Sequence, residues 1–127
     1  MKEFVLACLA GAAGTGARFA LSTGIGNMLG TQFPYGTIVV NILGSFAISA
    51  IAYASTVGNA LTPTTTVVLT TGFLGGFTTY SAFNHATVTL VQQNLWGKAL
   101  ANVGITLVAC LAAGFAGFAL MRRLLGG

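Results

Sequence analysis

Thr37, Asn41, Ser45 and Ser49 recur every four residues inside an apolar stretch, and Asn102, Thr106 and Cys110 repeat the interval further on, running into Gly114. That spacing places side chains along one gently winding face of a helix. The groups on these faces are hydroxyls and amides, which offer hydrogen-bond donors without formal charge. Between the rows lies Thr70-Thr71-Gly72-Phe73-Leu74-Gly75-Gly76-Phe77-Thr78-Thr79-Tyr80-Ser81-Ala82-Phe83, where glycines meet a cluster of hydroxyls and rings. Aromatic rings carry positive edges. A path lined with such donors suits an anion, and a small one, because no ring of basic residues is present to draw in a bulky one. A lone Ser or Thr in a helix ordinarily satisfies the carbonyl four residues back. Two rows in separate helices argue for a shared polar track, and the Asn41 amide has no local way to satisfy all its groups.

The elements that position these groups follow from composition. Of 127 residues, 55% are hydrophobic and 5% charged, against about 25% charged in a soluble domain, and the mean hydropathy is +0.88. Four stretches are long enough to cross a bilayer: residues 4–23, 36–57, 64–91 and 98–120, within a single membrane domain over 1–127. The fold class is an all-α membrane protein. The third stretch is over-long and glycine-broken, which predicts two half-helices meeting near Gly75. Irregular backbone survives in hydrocarbon only where protein buries it or a wet cavity meets it, so the break marks an ion or substrate site. Residues 24–35, 58–63 and 92–97 are the connections, with Pro34 and Pro63 just ahead of spans, where a missing N–H costs least. The first stretch reads as a retained helix rather than a signal peptide, because its glycines are spread along it and three more spans follow. Gly72 with Gly76, and Ala113 with Gly117, have the spacing that lets helix backbones approach closely, and small-residue surfaces of this extent predict a dimer.

Charge narrows the function further. The net charge of +4 comes from Lys2, Arg18, Lys98, Arg122 and Arg123 against Glu3, too scattered for a nucleic-acid surface. Lys and Arg near span ends set orientation, and here the two sides differ so little that insertion either way round is expected. Within the spans no carboxylate appears except Glu3 at the extreme start. A carboxylate-ring cation channel and a proton-coupled exporter with an intramembrane carboxylate both lack their main group; a small four-helix multidrug exporter would need a Glu inside the first span. Cys8 and Cys110 have neither metal-ligand spacing nor a disulfide framework. No nucleophile–base pair or metal cluster can be assembled, so an enzyme is not expected. A purely structural membrane protein would leave the polar rows without use. His85 reads as a residue bonding a neighbour and Trp96 as an interface anchor.

With these residues in view the chain resembles the Fluc (CrcB-type) fluoride channels along nearly its whole length. The likeness rests on Gly14-Thr15-Gly16-Ala17-Arg18-Phe19, on Gly36-Thr37-Ile38-Val39-Val40-Asn41-Ile42-Leu43-Gly44-Ser45-Phe46, and on Gly72 to Phe83. The resemblance implies a multi-pass channel of the cell inner (plasma) membrane that lets fluoride leave passively and relieves its toxicity. It further implies a dual-topology antiparallel dimer with two pores and a central structural Na⁺ on the Gly75 and Thr78 backbone carbonyls. Asn41 would be the pore amide, and Tyr80 and Phe83 the two ring positions facing the ions. Thr37, Ser45, Thr79, Ser81, Thr106 and Cys110 would line the polar track, with Arg18, Gly72 and Gly76 in structural roles. Tyr80 stands where the family usually has phenylalanine, and Ala86 where an acidic residue often follows. Such drift also accompanies pairing of two different subunits, so a heterodimeric fluoride channel is the companion expectation to a homodimer.

Overall fold

The computed structural model describes residues 1–57 and 59–126. Its helices are α1 (Lys2–Leu29), α2 (Tyr35–Val57), α3 (Pro63–Val67), a π-helical stretch (Val68–Leu74), the short turn α4 (Gly75–Phe77), α5 (Tyr80–Gln92) and α6 (Trp96–Leu125). There is no strand among the described residues. α1, α2 and α6 are each long and apolar enough to cross a membrane alone. At about 1.5 Å per residue they reach roughly 35–45 Å, more than a hydrocarbon core of about 30 Å. The third crossing is shared: residues 63–77 climb to a break and α5 completes the passage. The protein is an all-α, multi-pass membrane protein with a broken third helix.

The break does not fall at Gly75. That residue is helical (φ −60°, ψ −38°), and the extended residues are Thr78 (φ −89°, ψ 159°) and Thr79 (φ −153°, ψ 117°). The reason is that the glycines serve packing. A Cβ on Gly14 would run into the Phe73 carbonyl, and one on Gly76 into that of Gly11. α1 therefore lies backbone to backbone against the π-helical stretch and α4. Across the bundle α2 packs chiefly on α6, where Gly117 leaves room for the Phe46 carbonyl. Such close approach explains a small side-chain core, Val40, Leu74 and Phe77, with Ala17, Leu21, Ala47, Ile51 and Phe73 around it. Large side chains such as Phe4, Phe19, Leu100, Val108 and Phe115 point outward, as a lipid-facing surface permits.

The ends follow local chemistry. α1 continues to Leu29, beyond the residue-23 limit read from hydropathy, and closes where the Gly30 N–H donates to the Gly26 carbonyl at 2.8 Å. Thr62 caps α3 by accepting from the Thr65 N–H, with Pro63 as the first helical residue; Gly58, at the start of that connection, lies outside the described residues. Thr64 Oγ1 donates to Glu3 Oε2 at 3.3 Å, so α1 and the third crossing start at the same end. Asn94, in the left-handed region (φ 61°), turns the chain between α5 and α6.

Gly14→Ala is expected to destabilise the protein by about 1–3 kcal/mol through overpacking, seen as a lower unfolding temperature in detergent. Gly24→Ala, where a Cβ meets nothing within 4 Å, should be neutral or slightly stabilising; equal effects at the two positions would remove the backbone-contact argument.

Candidate functional site

A helix interrupted in hydrocarbon leaves carbonyls at the end of one half and N–H groups at the start of the next. In an unbroken helix the Thr79, Tyr80 and Ala82 N–H groups would donate to Gly75, Gly76 and Thr78. Here the Thr79 N–H donates to Asn41 Oδ1 at 2.9 Å and the Ala82 N–H to Thr79 Oγ1 at 3.1 Å. The Gly76 carbonyl accepts from Arg18 Nε at 2.9 Å. Asn41 Nδ2 in turn donates to the Thr79 carbonyl at 3.0 Å, so one side-chain amide pairs with one peptide unit in both directions, as a neighbouring strand would. Thr78 folds back, its N–H and its Oγ1 both donating to the Leu74 carbonyl at 2.9 Å, and Gly44 leaves the space that the Thr78 methyl fills. The carbonyls of Gly75 and Thr78 are the ones released from helical donors.

Beside the break a groove of about 780 Å³ opens between α2, the π-helical stretch, the head of α5, and α6. Asn41 and Ser45 line it from α2, Gly75, Thr78 and Thr79 from the break, Tyr80 and Phe83 from α5, and Thr106 and Cys110 from α6. Ile48, Leu74, Leu107, Leu111, Phe115 and Phe118 make the remaining wall largely apolar. The Tyr80 and Phe83 rings meet at 5.6 Å between centroids and 60°, which leaves ring edges toward the cavity side of α5. Thr37 and Ser81 are not on the groove wall. Thr37 sits half-buried one turn before Asn41, and the exposed Ser81 places its Oγ 3.3 Å from Thr79 Oγ1. Arg18, Gly72 and Gly76 stand behind the break on the α1 side, where the half-buried Arg18 brings a guanidinium close to the helix ends. His85 is exposed on α5, and Trp96 is exposed at the head of α6.

The structure adds Asn102 and Thr87. Asn102 is 1% exposed and donates from Nδ2 to Thr87 Oγ1 at 2.9 Å; Thr87 Oγ1 donates to the Phe83 carbonyl at 2.9 Å. Sequence reading placed Asn102 in the polar row without its partner. A signal was available, because Thr87 lies seven residues before Asn94 and Asn102 seven after Leu95, and a tight antiparallel hairpin sets such positions opposite one another.

The sequence profile of the family described as CrcB-like protein, Camphor Resistance (CrcB), matches residues 5–118. The chain belongs to this family. Its relatives include a protein of Sorangium cellulosum (strain So ce56) that is 49% identical over 127 residues, 100% of both chains. One of Anaeromyxobacter dehalogenans (strain 2CP-1 / ATCC BAA-258) is 43% identical over 99% of this chain and 100% of its own. A third, of Citrifermentans bemidjiense, is 39% identical over 98% of this chain and 100% of its own. All three carry the name fluoride-specific ion channel FluC, a channel's name and not an enzyme's. The segments around Arg18, Asn41 and the broken third helix fall within the CrcB match.

For this CrcB-family chain, Asn41→Leu should strand the Thr79 N–H and carbonyl at a cost of about 1–3 kcal/mol for each group left unpaired. The expected readout is a lower unfolding temperature together with faster amide hydrogen exchange around residues 78–82. Unchanged exchange there would mean that Asn41 does not hold the break.

Proposed function

We propose that the chain is a fluoride channel, passing F⁻ down its gradient through the groove beside the broken helix. The observation that carries this reading is a polar line of Asn41, Ser45 and Thr106 reaching the break, with no carboxylate on the groove wall. A strongly hydrated anion sheds water only where fixed donors replace it. The second N–H of Asn41 Nδ2, the Ser45 and Thr106 hydroxyls and the ring edges of Tyr80 and Phe83 are such donors. The positive end of α5 points at the same place. Without an intramembrane carboxylate to cycle protons, transport is passive. That absence also counts against the multidrug-exporter alternative. The channel names of the relatives support the choice of anion.

The same break fits a small hard cation. The Gly75 and Thr78 carbonyls are free of helical donors, lie at the negative end of a helix segment and provide the oxygen ligands such ions take. Na⁺ held there would supply a fixed positive charge beside the anion path. Gly75 is exposed in a single copy, so two copies facing one another would complete the oxygen set. The weak Lys and Arg bias fits an antiparallel pair in the inner membrane, with one groove per subunit.

Purified protein in liposomes is expected to release fluoride without a pH gradient and to leak chloride far less. Equal chloride flux, or a strict need for a proton gradient, would overturn the reading. Asn41→Asp replaces the donor to the Thr79 carbonyl with an acceptor and should abolish flux. Phe83→Ile, which keeps bulk and loses the ring edge, should lower flux in a protein that still elutes as the wild type does.

Tags on either terminus, probed from one side of the membrane, are expected to be accessible in about half of the molecules if insertion follows the weak charge bias. A single orientation would favour a hetero-pair with a second, oppositely inserted subunit.

A further inference from the structure

Asn102 does not reach the groove, yet it touches both walls of it. Thr106, which lines the groove from α6, donates its Oγ1 proton to Asn102 Oδ1 at 3.4 Å. Asn102 Nδ2 donates to Thr87 Oγ1 at 2.9 Å, and Thr87 donates onward to the carbonyl of Phe83, whose side chain lines the groove from α5. The donors run one way, Thr106 to Asn102 to Thr87 to Phe83. The two ends differ in strength. The bonds toward Phe83 have ordinary lengths, whereas 3.4 Å is long for a hydroxyl donor, whose usual range is about 2.5–3.0 Å.

We propose that Asn102 is a positioning residue for the ion path, fixing the Phe83 ring through Thr87 while parking the Thr106 proton in a loose bond that an entering anion takes over. A fixed ring edge and a releasable donor then face each other across the groove. Burying an amide inside a bundle is costly unless it is fully bonded, and Asn102 meets that cost with partners that end on groove residues. This inference rests on the fluoride reading of the groove, and the test separates the two.

Full-length protein is reconstituted and fluoride and chloride efflux are measured per reconstituted channel. Thr87→Val, which cuts the chain toward Phe83, is expected to lower fluoride flux roughly tenfold, the equivalent of one lost hydrogen bond of about 1.4 kcal/mol. It should also lower the fluoride-to-chloride ratio. Thr87→Ser keeps the hydroxyl and should restore both. Asn102→Leu should match Thr87→Val, and the double variant should lose no more than either single one. A mere hairpin staple would lower the unfolding temperature and leave the ratio untouched, and that result overturns the proposal. So do losses that multiply in the double variant. If Asn102→Leu does not fold, Thr87→Val against Thr87→Ser reads the same chain from its other side. Wild-type protein that passes no fluoride would remove the fluoride reading and this inference with it. Wild-type flux that the Thr87 and Asn102 variants leave unchanged would remove the inference alone.

Discussion

Hydrocarbon offers no partner to a peptide group, and the third crossing of this protein is arranged around that fact. Breaking a helix at Thr78 and Thr79 frees donors and acceptors at a depth where water does not normally reach them. Each one that is matched is matched from a different element. The Thr79 peptide is held on both sides by Asn41 of α2, the Gly76 carbonyl by Arg18 of α1, and the Ala82 N–H by Thr79 itself. Two helices must therefore be in register before the broken one is stable. Asn41 and Arg18 are structural partners of the break as well as members of the site, and the two roles are inseparable in the geometry.

The packing serves the same end. α1 with the π-helical stretch and α4, and α2 with α6, form two close helix pairs in which backbones, not bulky side chains, make contact. Asn41 crosses from one pair to the other. The apolar core between them is small, so van der Waals contact between backbones carries much of the association inside each pair. The groove lies along the seam where the pairs diverge, with the break on one wall and α6 on the other. Its polar groups come from elements distant in sequence and are brought level by the polar exchange at Thr79 and the hairpin at Asn94.

Much of this was readable from residue spacing. The four-residue rows on α2 and α6 predicted a shared polar face, and Asn41, Ser45, Thr106 and Cys110 do meet on one groove. What was misread were the glycines. Gly75 in an apolar run looks like a helix breaker, but a glycine that lets two backbones touch has the same signature, and only the neighbour across the contact distinguishes them. The true break is set by Thr79, a β-branched residue whose hydroxyl caps α5, and by an amide 38 positions earlier in the chain. Thr37 and Ser81 share the spacing of the groove residues but not the wall, because a helix face wider than the cavity carries some of its polar residues past the edge. Arg18 contacts a carbonyl 58 positions away, a pairing that no local pattern encodes.

The π-helical stretch Val68–Leu74 carries a consequence for how such chains can vary in length. Here the Gly75 N–H reaches back to the Thr70 carbonyl, five residues away, so each turn holds one residue more than an ordinary α-helix. Removing a single residue from this stretch would let the turns tighten to the α form, and everything beyond it would swing by roughly 100° about the helix axis. Thr78 would leave its niche against Gly44, and the Thr79 peptide would face away from Asn41. Insertions and deletions elsewhere fall in connections and are absorbed there. In this segment the number of residues is itself part of the site, and a change of length by one is a change of architecture.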